Sequence, residues 1–254
     1  MISEQGLLKG LSVVVTRASH QSATLIKALE RQGADVIAAP SIAIVPPLDG
    51  GQPLDDALLR LDRYSWVAFT SANAVAASLA RGARRGVIRR FDHLKIAAVG
   101  LATAEKVLEE MKREVDLLPT VYKATELARA FPEPKKNDRV FVPMASEGRP
   151  DLAAGLRERG WDVDAVAAYR TVTPSLATAV TEKLINADII IFASPSAVQG
   201  HIKQRGLSID NQIVCIGNVT AEACLAKGIQ VGAVAKSPSV GDLLKAVIDL
   251  AVSH

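Results

Sequence analysis

The chain has 254 residues, 49% of them hydrophobic, and sets 30 Lys and Arg against 27 Asp and Glu for a formal net charge of +3. That length and apolar content can bury a large core, either as one big domain or as two small ones. The near-balance of charge, with no long basic run, argues against a nucleic-acid binder, which would cluster its positive charge on one face.

The start, Met1 to Arg17, holds one short apolar strand, Ser12-Val13-Val14-Val15. It lacks the longer apolar region and small-residue cleavage site of a secretory signal. No stretch approaches the roughly 20 apolar residues that a membrane-spanning helix needs. A cytoplasmic protein with no membrane contact is therefore expected. After the first strand, Leu25, Ile26 and Leu29 lie on one face of a helix, and Gly33 suits the left-handed position that ends it. Asp35 to Ala39 reads as the next strand. Further apolar runs, Trp66 to Phe69, Ile96 to Val99 and Ile189 to Phe192, alternate with segments of helical period. That alternation predicts an α/β protein whose parallel sheets are covered by helices. Cys215 and Cys224 form no metal-ligand or redox motif and read as small buried hydrophobes. His20, His93, His201 and His254 are scattered, never at helical ligand spacing, so no metal is predicted.

Two kinds of unit each occur twice. Unit A runs Val13-Val14-Val15-Thr16-Arg17, Leu25, Leu29, Gly33 and a strand ending near Pro46. It recurs as Val140-Phe141-Val142-Pro143-Met144, Leu152, Leu156, Gly160 and a strand ending near Pro174. Unit B runs Val67-Ala68-Phe69-Thr70-Ser71-Ala72-Asn73-Ala74-Val75, then Ala98-Val99-Gly100 through Thr103 to Glu105. It recurs as Ile190-Ile191-Phe192-Ala193-Ser194-Pro195-Ser196-Ala197-Val198, then Cys215-Ile216-Gly217 through Thr220 to Glu222. The order is A, B, A, B. Each A unit ends in a long strand pattern, Ala38 to Val45 and Val163 to Thr173, suited to connections between lobes. If the chain crosses at both, residues 1–38 and 174–254 form one α/β lobe, 47–167 form the other, and 39–46 and 168–173 are connecting strands. The alternative is two consecutive lobes with a boundary in Pro132-Glu133-Pro134-Lys135-Lys136.

The ordered set of motifs resembles the uroporphyrinogen-III synthases along nearly the whole chain. It comprises Thr16-Arg17, Phe69 to Val75, Val99-Gly100 with Thr103, Tyr169-Arg170-Thr171, Ser194 to Val198, and Ile216-Gly217 with Thr220. The resemblance implies two parallel-sheet lobes of crossed connectivity, joined by two extended strands, with the active-site cleft between them. It implies action without metal or organic cofactor, on hydroxymethylbilane, an open tetrapyrrole bearing eight carboxylates. Loss of the terminal hydroxyl as water leaves an electrophilic azafulvene. The far pyrrole then attacks through a substituted carbon, and a spiro intermediate reopens and closes with ring D inverted. A monomer is expected.

Ser71, Gly100, Ser194 and Gly217 each stand where a strand gives way to a helix, where backbone N–H groups and the positive helix end suit carboxylates. Ser71 and Ser194 also fit plain helix N-caps. Thr103 and Thr220 lie in the first helical turn, where a hydroxyl bonds backbone or reaches a ligand, and Asn73, two residues after Ser71, fits either an ordinary first-turn role or an amide that orients a carboxylate or a pyrrole N–H. Arg17 and Arg149 are candidate carboxylate partners or solvated surface charges. Arg81, Arg84 and Arg85 read as a solvated loop. Gly-rich nucleotide fingerprints are missing, and Ser71 has no nucleophile-elbow context, which disfavours hydrolase chemistry. Tyr169, in the second connecting strand, is the candidate proton donor or else a packing aromatic, and the resemblance favours the donor. Two competing classes remain, a two-lobed ligand sensor without an output domain and a glycosyltransferase-like enzyme without a nucleotide-sugar site.

Overall fold

The computed structural model describes residues 6–17, 19–206 and 211–253. In chain order, β1 (Ser12–Val15) leads into α1 (Ser19–Arg31) and β2 (Asp35–Ala38). Next come β3 (Ala43–Val45), α2 (Gln52–Leu59), β4 (Trp66–Phe69), α3 (Ala72–Arg84), β5 (Lys95–Ala98) and α4 (Leu101–Met111). They are followed by α5 (Ala124–Ala130), β6 (Arg139–Ala145), α6 (Asp151–Glu158) and β7 (Asp162–Val172). The chain continues with α7 (Thr178–Ile185), β8 (Ile189–Phe192), α8 (Pro195–Arg205) and β9 (Gln212–Cys215). It closes with α9 (Asn218–Leu225), β10 (Ala233–Val234) and α10 (Val240–Val252).

The strands make two five-stranded sheets, ordered β10-β9-β8-β1-β2 and β3-β7-β6-β4-β5. Val13 pairs with Ile189, not with the Trp66 strand, and Trp66 pairs with Val140, so the connectivity is crossed. Two compact units result, Met1–Ala43 with Val172–His254, and Ile44–Thr171. The interleaved repeat is the cause: each sheet combines one copy of each unit. The copies agree in detail, since Gly33 and Gly160 both end their helices at φ +86°.

In each sheet, side chains alternate between two buried faces. In the first unit, Val13, Val15, Ile189, Ile191 and Val214 pack under Leu25, Leu29, Leu243 and Val247. Val14, Ile190, Phe192, Ile213 and Cys215 pack on the other face with Leu184, Val198 and Cys224. In the second unit, Val67, Phe69, Ile96 and Phe141 meet Leu58, Val75 and Val107, while Trp66, Ala68, Val140 and Val142 meet Leu127, Leu152 and Leu156. Burial on both faces is what turns these strands into continuous apolar runs. Cys215 and Cys224 are buried and free, as the small-hydrophobe reading expects.

Two features differ from the sequence reading. The pattern from Ala38 to Val45 is not one strand: it breaks between β2 and β3. There Ala39 and Ser41 donate to the carbonyls of Val15 and Thr16, and Pro40 has no N–H to offer a ladder. Helix α8 fits closely on this break, because a Cβ at Gly200 would collide with the Ser41 carbonyl. Gln204 Nε2 donates to the carbonyls of Pro40 (3.0 Å) and Pro174 (2.7 Å), so one side chain ties together two segments of the first unit. Nor are the arginines at 81–85 a solvated loop. They close helix α3, where Arg81 grips the buried carboxylate of Asp55 through Nε–Oδ1 (2.6 Å) and Nη2–Oδ2 (2.7 Å). Arg85 contacts Asp55 Oδ2 as well, and Arg81 also donates to the Gly50 carbonyl at 2.8 Å.

Hydrogen bonds from Arg81 and Arg85 hold the Asp55 carboxyl well below the usual carboxylate range. A depressed folded pKa adds stability above the unfolded value, about 3.9, and that stability is lost as pH falls through the folded pKa. Asp55→Ala should therefore lower the unfolding free energy by about 2 kcal/mol at neutral pH, since it removes the charged hydrogen bonds that the buried Asp55 accepts from Arg81. Urea melts at pH 7 and below pH 4 check this. The wild-type advantage should shrink in acid, and an equal gap at both pH values would remove Asp55 from the account.

Candidate active site

In the second unit, the buried strand β4 delivers Thr70 and Ser71 to the sheet's C-terminal edge. Ser71 caps α3, its Oγ accepting the Ala74 N–H at 3.1 Å. The same oxygen lies 3.0 Å from the hydroxyl of Tyr169. Either hydroxyl can donate in that pair. If Ser71 donates, the phenolic proton is left for a third group.

Tyr169 reaches Ser71 because β7 carries a bulge. Met144 pairs with Ala167 but Ala145 pairs with Tyr169, which leaves Ala168 as an extra residue. Val163 packs on the α5–α6 side, and strict alternation would send Tyr169 to that same face. The extra residue turns Tyr169 to the face of Phe69 and Val75, where its ring is buried. Ser146 fixes the bulge from the neighbouring strand, donating its N–H (2.8 Å) and its hydroxyl (3.2 Å) to the Tyr169 carbonyl.

Both hydroxyls line a cavity of about 630 Å³. Tyr122, Lys123 and Arg149 also line it. Gly148 lets the loop after β6 fold back, since a Cβ there would lie 3.0 Å from the Ala145 carbonyl. That fold brings Arg149 to the cavity with 89% of its side chain exposed. Its nearest acid, Asp151 at the first position of α6, is 3.6 Å away, a weak surface pair. The guanidinium is therefore available, and Asp151 answers the local helix dipole that a lone arginine would oppose. Asn73, Gly100 and Thr103 stand on the same edge outside the cavity lining, Thr103 buried in the first turn of α4.

The first unit repeats the edge with different chemistry. Ser194 caps α8, its Oγ accepting the Ala197 N–H at 3.1 Å, but its neighbour is Ser196 Oγ at 2.9 Å and not a phenol. Gly217 caps α9 with extended backbone and open space where a Cβ would stand. A cavity of about 540 Å³ runs past Gly217, Thr220 and Lys236. Thr16 is buried and donates its hydroxyl to the Ile191 carbonyl at 2.6 Å, tying β1 to β8. Arg17 follows it, half-buried, with its pKa lowered by burial alone and with no acidic partner among the described residues.

The family profile described as uroporphyrinogen-III synthase HemD matches residues 23–245. The chain belongs to the uroporphyrinogen-III synthase family. The uroporphyrinogen-III synthase of Synechococcus elongatus is 33% identical over 175 residues, which are 68% of this chain and 65% of that protein. The porphyrin biosynthesis protein HemD of Ruminiclostridium josui is 29% identical over 223 residues, 85% of this chain and 44% of that protein. The match thus spans less than two thirds of either relative. A crystal structure of uroporphyrinogen-III synthetase from Helicobacter pylori 26695 shares the fold, with a TM-score of 0.65 at 20% identity over 94% of this chain and 99% of that one.

In this member of the uroporphyrinogen-III synthase family, residues at the two edges that escaped the sequence reading include Tyr122, Lys123, Ser146 and Lys236. Following the repeat past Glu105 and Glu222 finds three of them. Leu117 bridges to Ala97 beside β5 as β10 does beside β9, and the stretch that follows reaches the edge in both copies. Ser146 has no such signal, because its role depends on the bulge.

The caps themselves are testable. Ser71→Ala and Ser194→Ala should each lower the unfolding free energy by about 1 kcal/mol, the usual cost of a lost hydroxyl cap. Urea denaturation measures it. A loss near zero at either site would mean that the hydroxyl does not cap its helix.

Proposed function

We propose that this chain is a uroporphyrinogen-III synthase, closing hydroxymethylbilane to uroporphyrinogen III with loss of water and inversion of ring D. The observation that carries the proposal is the Ser71–Tyr169 hydroxyl pair, 3.0 Å apart in a cavity with the exposed, weakly paired guanidinium of Arg149 at its edge. Water departs poorly as hydroxide, so a proton must reach the terminal hydroxyl as its C–O bond breaks. Tyr169 is the donor in this reading, with Ser71 donating in turn to the phenolic oxygen. The pyrrole nitrogen supplies the electron pair, leaving water, a phenolate and an azafulvenium cation. The far pyrrole attacks this cation through its substituted carbon, and the spiro intermediate opens and recloses with ring D inverted. The proton released when the ring regains aromaticity returns to the phenolate.

Positional control is the larger task, because the free bilane closes directly to the uninverted isomer. Carboxylates supply the handles. Arg149 and the helix ends at Ser71 and Gly100 serve the second unit, with Asn73 and Thr103 beside them. Arg17, the helix ends at Ser194 and Gly217, and Thr220 serve the first. Support for the glycine comes from Gly217, where neither φ nor packing requires a missing Cβ and a ligand can approach the backbone. Thr16 enters as the residue that holds Arg17 in place, since its hydroxyl proton is spent on Ile191. The chain is taken to act as a cytoplasmic monomer on this small molecule, without nucleic acid. No described helix is long and apolar enough to cross a membrane.

Product analysis with freshly prepared hydroxymethylbilane tests the assignment: isomer III is expected, and isomer I alone would refute it. Tyr169→Phe should slow turnover about 10²-fold, at the lower end for a positioned acid because the electron-rich pyrrole drives much of the ionisation. Its melting temperature should stay near wild type. Unchanged turnover in the folded variant would reduce Tyr169 to a packing residue.

A further inference from the structure

We propose that Tyr122 stabilises the azafulvenium cation through its aromatic face, as a second tyrosine of the reaction with a role distinct from that of Tyr169; this rests on the function proposed above. The three tyrosines of the chain divide cleanly. Tyr64 is buried with its hydroxyl donating to Asp164 at 2.6 Å, and Tyr169 is buried with its hydroxyl on Ser71. Tyr122 is half exposed, lines the same cavity as the Ser71–Tyr169 pair, and its hydroxyl has no hydrogen-bond partner among the described residues. Its side chain lies against Gly100, whose Cβ, if present, would be 3.5 Å from Tyr122 Cβ. The chain just before α5 is thus packed on a strand end, and Tyr122 stands in the cavity wall.

A single exposed aromatic means little by itself. Its surroundings give it meaning. The other charged groups of the cavity wall are Lys123, Arg149 and Asp151, and Asp151 is paired, weakly, with Arg149. Two cations do not favour a developing cation unless something else neutralises them, and the acetate and propionate of a bound pyrrole ring do so. A carboxylate aimed at the azafulvenium carbon would stabilise the charge but also capture the electrophile. An aromatic face attracts a delocalised cation through its quadrupole and forms no bond with it. Because the charge appears only as the C–O bond breaks, the attraction acts on the transition state more than on the bound bilane, and so on kcat more than on KM.

The test is a series at position 122 assayed with hydroxymethylbilane. Tyr122→Phe should keep kcat within about twofold, and Tyr122→Leu should lower it about tenfold with KM changed less, the range of one cation–π contact. Replacing Tyr122 by phenylalanines of rising fluorine content should lower log kcat stepwise, since fluorine drains the ring's negative face while keeping its shape. Melting temperatures control for folding, and the fluorinated series stays informative if the leucine variant folds poorly. A flat series would overturn the proposal, as would Tyr122→Phe losing as much as Tyr122→Leu, which would put the effect in the hydroxyl. Wild-type enzyme in the same assay keeps the two readings apart. Isomer III from wild type with a flat series sinks only the role of Tyr122, whereas no isomer III from wild type sinks the function itself.

Discussion

The hydroxyl groups of Ser71 and Tyr169 meet at 3.0 Å across 98 residues of sequence, and the candidate active site is organised around that contact. Each partner is held by the fold before it meets the other. Ser71 is fixed as the cap of α3, at the end of a strand buried on both faces. Tyr169 is fixed by its buried ring, by the bulge at Ala168 and by the two hydrogen bonds from Ser146 to its carbonyl. For the proton donor proposed above, such fixing means little reorganisation when the proton moves.

The interleaved repeat explains why the contact exists in one unit only. Both sheets place a serine-capped helix and a glycine-capped helix on their C-terminal edge, with matching cap distances of 3.1 Å. The second unit adds a phenol from its eleven-residue β7. In the first unit the equivalent strand stops at Ala38 and breaks at Pro40, so Ser194 finds Ser196 instead. One edge thus holds the phenol proposed as the acid, while the other offers a half-buried arginine with no acidic partner among the described residues, backbone N–H groups and a bare glycine.

Much of this was legible in the residues. Paired runs such as Val13-Val14-Val15 and Ile189 to Phe192 report strands buried on both faces, and the A, B, A, B order is enough to suggest the crossed pairing that Val13 and Ile189 make. Gly33, Gly160, Ser71 and Ser194 announce helix ends because left-handed backbone and free N–H groups leave few residue choices. Long-range geometry was not legible. The bulge at Ala168 leaves no mark in a strand already rich in alanine, so the facing of Tyr169 and the part of Ser146 stay hidden. The Arg81, Arg84 and Arg85 cluster reads as surface because Asp55, the acid that draws two of those arginines inward, lies in another helix. Tyr122 and Lys123 fall in a loop whose alignment to the edge depends on Leu117 pairing beside β5.

Ser71 and Tyr169 are proposed to work as one proton-donating unit, and a double-mutant cycle in kcat measures that directly. Ser71→Ala alone should slow turnover, and the same change made in Tyr169→Phe should add no further loss beyond about twofold, because the phenol it serves is already gone. Losses that multiply across the two substitutions would contradict it, making the 3.0 Å contact a packing detail and the two residues independent.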